Sequence, residues 1–193
     1  MMETSWPMVY EQIKACRLCP LHQGIRNKVP GQGNPKARLL IVGEGPGAEE
    51  DRLGLAFVGP AGQLLTRMLE AIDLSRDEVY IANVVKCRPP DNRVPLPEEA
   101  TCCLPYLRAQ TALIRPKVIL ILGGTALKYL VDDQARITRI RGQWIHKKGI
   151  WILPTYHPSA LLRDPLKKKN AWSDMKLLRD KLKELESETS DGA

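Results

Sequence analysis

Four short apolar runs alternate with helix-like segments, and that alternation constrains this chain most. Arg38 to Val42, Val79 to Val85, Val118 to Leu122 and Ile150 to Leu153 have the length and apolar continuity of buried strands. Between and around them lie helical patterns. Ser5 and Pro7 begin a first helix that runs through Ile13. Leu64, Leu65, Met68, Leu69 and Ile72 mark one face of a second. Pro97, Glu98 and Glu99 open a third that reaches about Ile114, with proline and acids where a first turn favours them. A short helix follows Gly123-Gly124-Thr125, and Trp172, Met175, Leu178, Leu182 and Leu185 form the stripe of a last one. Strand–helix alternation predicts an α/β fold: a single three-layer domain over residues 1–193, with a central, mostly parallel four-stranded sheet flanked by helices. Residues 186–193 are expected to be a frayed tail. Ligands of such sheets bind beyond the carboxyl ends of the strands, so the residues there carry the argument about function.

A chain of 193 residues can bury a substantial core. Its 29 Lys and Arg against 22 Asp and Glu give a net charge of +7, a balance suited to a polyanionic partner such as nucleic acid. No apolar stretch reaches the ~18 residues of a membrane span. The first residues lack the pattern of a signal peptide, so the expectation is a cytoplasmic, monomeric protein with no membrane partner. Disulfides are rare in that compartment, and five cysteines then need another explanation.

Gly43-Glu44-Gly45-Pro46-Gly47-Ala48-Glu49-Glu50-Asp51 follows the first strand. Its glycines let a backbone approach a ligand closely, and four carboxylates crowd the same turn. A phosphate-cradling loop would need Gly-Lys-Ser/Thr here, and no lysine is present. The pattern points to a pocket for a neutral or electron-poor group beside a positioned water; a tight turn with solvated acids is the plainer alternative. Phe57, the sole phenylalanine, is flanked by glycines and reads equally as a stacking platform for a base or as a core plug. Asn83, near the end of the second strand, could read a nucleobase edge with one donor and one acceptor, or simply cap the strand. His157 follows the fourth strand as an electrophilic donor or an acid. Ser159 and Arg163 beside it, and Arg88 and Arg93 in the loop after Cys87, suit phosphates, and Leu161 or Leu162 could wedge into a base stack. Lys167-Lys168-Lys169 reads as a solvated run.

Cys16 and Cys19 form a C-x2-C pair, Cys87 lies just past the second strand, and Cys102 and Cys103 lie in the helix after it. Four thiolates drawn from remote segments suit an iron–sulfur cluster or tetrahedral zinc. Only one knuckle is present, where zinc sites tend to have two, which tilts the reading toward iron–sulfur. Neighbouring helical residues point about 100° apart, so one of Cys102 and Cys103 should ligate; the spacing does not choose between them.

Taken in order, GEGPGAEED at 43–51, AFVGPAGQLL at 56–65, YIANVVKCRPPDNRVP at 80–95 and LPTYHPSALLRDP at 153–165 resemble the uracil-DNA glycosylase superfamily, most closely its family 4, the iron–sulfur enzymes. The resemblance implies a hydrolase that flips uracil out of single- or double-stranded DNA and cuts its N-glycosidic bond. It implies a structural [4Fe-4S] cluster on Cys16, Cys19, Cys87 and Cys103, with Cys102 spare. It places Glu44 at the water, Gly43 and Phe57 against uracil, Asn83 at its edge, His157 at its carbonyl and Glu50 against a thymine methyl. Ser159-Ala160 departs from the bulkier pair frequent after His-Pro, and the chain lacks the basic Arg-Arg-Ile-His insertion of the uracil-crosslinking relatives. An electron carrier or redox sensor that binds nucleic acid would need the cluster but would leave Glu44, Asn83 and His157 without work.

Overall fold

The computed structural model describes residues 5–190. Its helices are α1 (Trp6–Ala15), α2 (Ala48–Leu53), α3 (Pro60–Glu70), α4 (Pro97–Ile114), α5 (Gly123–Leu130), α6 (Ile137–Ile140), α7 (Pro158–Arg163) and α8 (Lys168–Ser190). Its strands are β1 (Gln32–Gly33), β2 (Leu39–Gly43), β3 (Val79–Asn83), β4 (Val118–Leu122), β5 (Ile145–Lys147) and β6 (Ile150–Thr155). They form one six-stranded sheet in the order β1-β3-β2-β4-β6-β5.

The four strands expected from sequence are the parallel centre, β3-β2-β4-β6. The count of four is corrected to six by a short antiparallel strand on each edge. Every residue of β2, β3 and β4 is buried, as in a parallel sheet covered on both faces. Alternation sorts the side chains. Leu40, Val42, Ala82, Ile119 and Ile121 face a layer that includes Leu104 and Leu107 of α4 and Ala126 and Leu127 of α5. Leu39, Ile41, Ile81 and Leu120 face Leu65 and Leu69 of α3 and Met175 and Leu178 of α8. Trp172, placed on the stripe of the last helix, is instead 42% exposed. The expected frayed tail is helical through Ser190, because α8 continues past Leu185; residues 191–193 lie outside the described residues.

One buried ion pair fastens α8. Asp174 is fully buried and pairs with Arg141; its carboxylate also accepts the Thr155 hydroxyl of β6 at 2.6 Å. Among the described residues, no helix is long and apolar enough to cross a membrane.

Candidate active site

Parallel register brings the candidate residues to one edge of the sheet. Gly43 and Asn83 are paired ends of β2 and β3. Glu44 follows β2, α5 springs from the end of β4 without a connecting loop, and His157 follows β6.

The glycine-rich segment differs in part from its sequence reading. Its last residues form the first turn of α2, whose acids complement the helix N-terminus. Three of the four carboxylates there are engaged in structure. Asp51 is buried and accepts the amides of Arg26 at 2.9 Å and Asn27 at 3.2 Å. Glu49 pairs with Arg52 at the surface. Glu50, also buried, accepts the Gly47 amide at 3.1 Å through Oε2 and the Val58 and Gly59 amides at 2.8 Å through Oε1. Glu44 is the one left facing the site, and its Oε2 accepts a hydrogen bond from Thr125 Oγ1.

Glu50 therefore holds the segment that carries Phe57. Arg76 holds it from the other side, donating to the Ala56 carbonyl at 2.8 Å and the Phe57 carbonyl at 3.1 Å. Phe57 needs such support, because its φ of +53° lies in the left-handed region that non-glycine residues disfavour. A Cβ on Gly62 would sit 1.8 Å from the Phe57 carbonyl oxygen, so only glycine fits there. The Phe57 ring is 5.6 Å from that of His157. Phe57 is 5% exposed, so burial alone is compatible with the core-plug alternative.

Asn83 is 1% exposed, and its Oδ1 is the buried side-chain polar atom without a hydrogen-bond partner among the described residues. Buried amides normally find partners, so an open acceptor marks a place for a donor. A Cβ on Gly43 would lie 2.6 Å from that oxygen and 2.6 Å from Phe57 Cζ. Glycine at 43 therefore lets the amide and the tip of the ring close in on the same stretch of backbone.

His157 caps α7. Its Nδ1 accepts the Ser159 amide at 3.2 Å, with the Ser159 hydroxyl 2.8 Å away. A backbone amide can only donate, so the proton of the neutral ring is on Nε2. Desolvation, aided by the nearby Arg163 cation, pushes the His157 pKa down to about 4. The ring is thus a neutral Nε2–H donor near neutral pH.

The remaining candidates are more dispersed. Arg93 makes a two-pronged pair with buried Glu99, at 2.8 and 2.7 Å, and Glu99 also caps α4 through the Leu96 amide. Arg88 donates to Asn92 at 2.8 Å. Arg163 is exposed at the end of α7. Leu161 is 1% exposed and packs inward, so of the two wedge candidates only Leu162 reaches solvent.

All five cysteines line one cavity, walled by apolar side chains such as Ile13, Leu18, Leu21 and Val85. Burial raises the thiols of Cys19 and Cys103, and pushes Cys87 up to about 12. The Lys86 amide donates to Cys103 Sγ at 3.3 Å. No group of three or more His, Cys, Asp and Glu is arranged around a single metal ion among the described residues. Lys86 itself was missed in the sequence. Its side chain is fully buried, with Nζ donating to the Asn83 carbonyl at 2.9 Å and to Gln110 Oε1 at 2.7 Å. Thr125 was likewise read only as part of a helix entry, because its partner lies 81 residues away.

One end of the largely parallel α/β sheet thus gathers an unpartnered buried amide, a buried phenylalanine, a carboxylate and an imidazole. The profile of the uracil DNA glycosylase superfamily matches residues 30–178. A type-4 uracil-DNA glycosylase of Thermotoga maritima is 50% identical over 81% of this chain and 83% of its own length. That of Sulfurisphaera tokodaii is 45% identical over 89% of this chain and 82% of its own. A type-5 enzyme of Thermus thermophilus is more distant, at 31% over 77% and 84%. The chain belongs to the uracil-DNA glycosylase superfamily, on its type-4 branch.

Proposed function

We infer that this chain is a DNA-repair glycosylase that excises uracil and leaves an abasic site, working as a monomer in the cytoplasm on single- or double-stranded DNA. The observation that carries the reading is Asn83 Oδ1, a buried acceptor with no partner among the described residues, beside Gly43 and Phe57.

A base inside a duplex is out of reach, so uracil must be flipped out at a cost of roughly a few kcal/mol. Phe57 stacks on the flipped ring. Asn83 Oδ1 accepts uracil N3–H while its amide nitrogen donates to O4. Cytosine presents a bare N3 and an amino group there, so it would oppose both contacts. Thymine has the same edge as uracil, so its exclusion must come from its methyl group; Glu50 would contribute by fixing residues 58 and 59 rather than by touch alone. As the C1′–N1 bond breaks, its electron pair goes to uracil. His157 Nε2–H donates to the carbonyl that gathers this charge, as an oxyanion hole does. Glu44 orients the water that forms the new C1′–O bond, takes up its proton, and offsets the cationic sugar. Arg88, Arg93, Ser159 and Arg163 would meet phosphates. Arg93 can do so only with the N–H groups that Glu99 leaves over.

Cys16, Cys19, Cys87 and Cys103 would hold a [4Fe-4S] cluster. The fit rests on sulfur donors in an apolar cavity, and on an amide already donated to Cys103 sulfur. Such a group supplies iron–thiolate crosslinks between remote segments, and the hydrolysis itself transfers no electron. The test is single-turnover excision from a uracil-containing oligonucleotide, beside binding to an abasic duplex. Glu44→Gln and His157→Ala should each slow excision, the latter on the order of 10²–10³-fold, with binding little changed. Near-normal excision by both would remove this mechanism.

A further inference from the structure

We propose that Thr125 is a positioning residue that sets the carboxylate of Glu44 for catalysis; the proposal rests on the reading of Glu44 as the group that orients water. A glutamate has two free side-chain torsions and a broad terminal one, so a carboxylate projecting from a loop samples many orientations. Water held at one point beside a sugar carbon needs one orientation. Thr125 Oγ1 donates to Glu44 Oε2, while Oε1 has no protein partner among the described residues. The arrangement divides the carboxylate into an anchored oxygen and a working one.

The fold makes the anchor rigid. β4 runs beside β2 in parallel, with Val42 opposite Ile121. α5 begins at Gly123, immediately after Leu122, so its first turn stands beside the residue that follows Gly43. Threonine is β-branched and stiff at its first torsion. A helical threonine hydroxyl often bonds back to its own helix, as Thr111 Oγ1 does to the Leu107 carbonyl. The Thr125 hydroxyl reaches across to the loop after β2 instead. The same turn also abuts the second proposed catalytic group: Gly123, at φ +89°, leaves so little space that a Cβ would lie 3.0 Å from His157 Cβ. One tripeptide, Gly123-Gly124-Thr125, therefore sets the spacing between the water side and the leaving-group side of the site.

The experiment is a double-mutant cycle read by single-turnover excision of uracil, with abasic-duplex affinity measured in parallel. Thr125→Val keeps the shape and removes the donor; it should slow excision on the order of 10- to 100-fold, the loss expected for one hydrogen bond to a charged group. Thr125→Ala, which tolerates any crowding by the branched carbons, should lose as much. Thr125→Ser restores the donor and should recover most of the rate. Abasic-duplex affinity should stay within about twofold throughout. In the Glu44→Gln background, Thr125→Val should cost little more, because residues acting as one unit are not additive. Full-rate excision by Thr125→Val, or a loss that multiplies undiminished onto that of Glu44→Gln, would overturn the proposal while leaving Glu44 in its role. Full-rate excision by Glu44→Gln alone would overturn the reading of Glu44 and this proposal with it.

Discussion

At the scale of single residues, His157 has the most testable chemistry. An unfolded histidine takes a proton near pH 6.5, whereas folded His157 does so only at about 4. Two outcomes follow. Stability owed to keeping the ring neutral is whole above about pH 6.5 and is lost as pH falls through about 4. Excision should show no acid limb from His157 between about pH 5 and 8, because Nε2–H remains a donor throughout. A single-turnover pH profile with an inflection near 6.5 that vanishes in His157→Ala would contradict the neutral-donor assignment. At this scale the sequence was legible for position: it put Glu44 and His157 just after strands and Asn83 near a strand's carboxyl end, as the structure has them. It was not legible for Glu50, Asp51, Arg93, Thr125 or Lys86. Nothing local distinguishes a carboxylate or ammonium at a ligand site from one that satisfies backbone groups contributed by a distant segment.

At the scale of elements, long periodic or continuous patterns survived folding and short ones did not announce themselves. α4 spans Pro97–Ile114, as its proline and first-turn acids foretold. β1 is two residues long and contains a glycine, so it has no alternation to read. α2 and α7 have six residues each, too short for a periodic stripe. The pair that ties α8 to β6 is the element-scale prediction. Asp174→Ala removes the partner of half-buried Arg141 and of the Thr155 hydroxyl. Removing one member of a buried pair typically costs about 3–5 kcal/mol. Urea unfolding should show a loss of that order, while Lys167→Ala, whose partner Asp164 is exposed, should show almost none.

At the scale of the whole molecule, Lys86 joins the cysteine cavity to Asn83. Its amide touches Cys103 sulfur and its ammonium holds the carbonyl of Asn83. Anaerobically purified protein should contain about four iron and four sulfide per chain. Cys16→Ala should lower iron content and destabilise the fold, because a lost ligand removes a crosslink. Cys102→Ala should leave iron unchanged; the reverse result, with Cys103→Ala retaining iron, would exchange the two residues. For DNA, Arg163→Ala should flatten the salt dependence of binding by roughly one phosphate contact without altering stability. Arg93→Ala should behave differently and destabilise the chain, since it strands the buried Glu99 carboxylate.

Gly43 has an evolutionary consequence. Every other amino acid places a carbon 2.6 Å from both the Asn83 oxygen and the tip of the Phe57 ring, so any side chain at this codon must push both aside at once. The lineage has no small steps available there. Changes of base preference must instead arise at positions 57 or 83, or in the strip that Glu50 holds, where side chains already exist to be exchanged. A randomised library selected for excision of any base, natural or not, should therefore return glycine at 43 while its neighbours diversify.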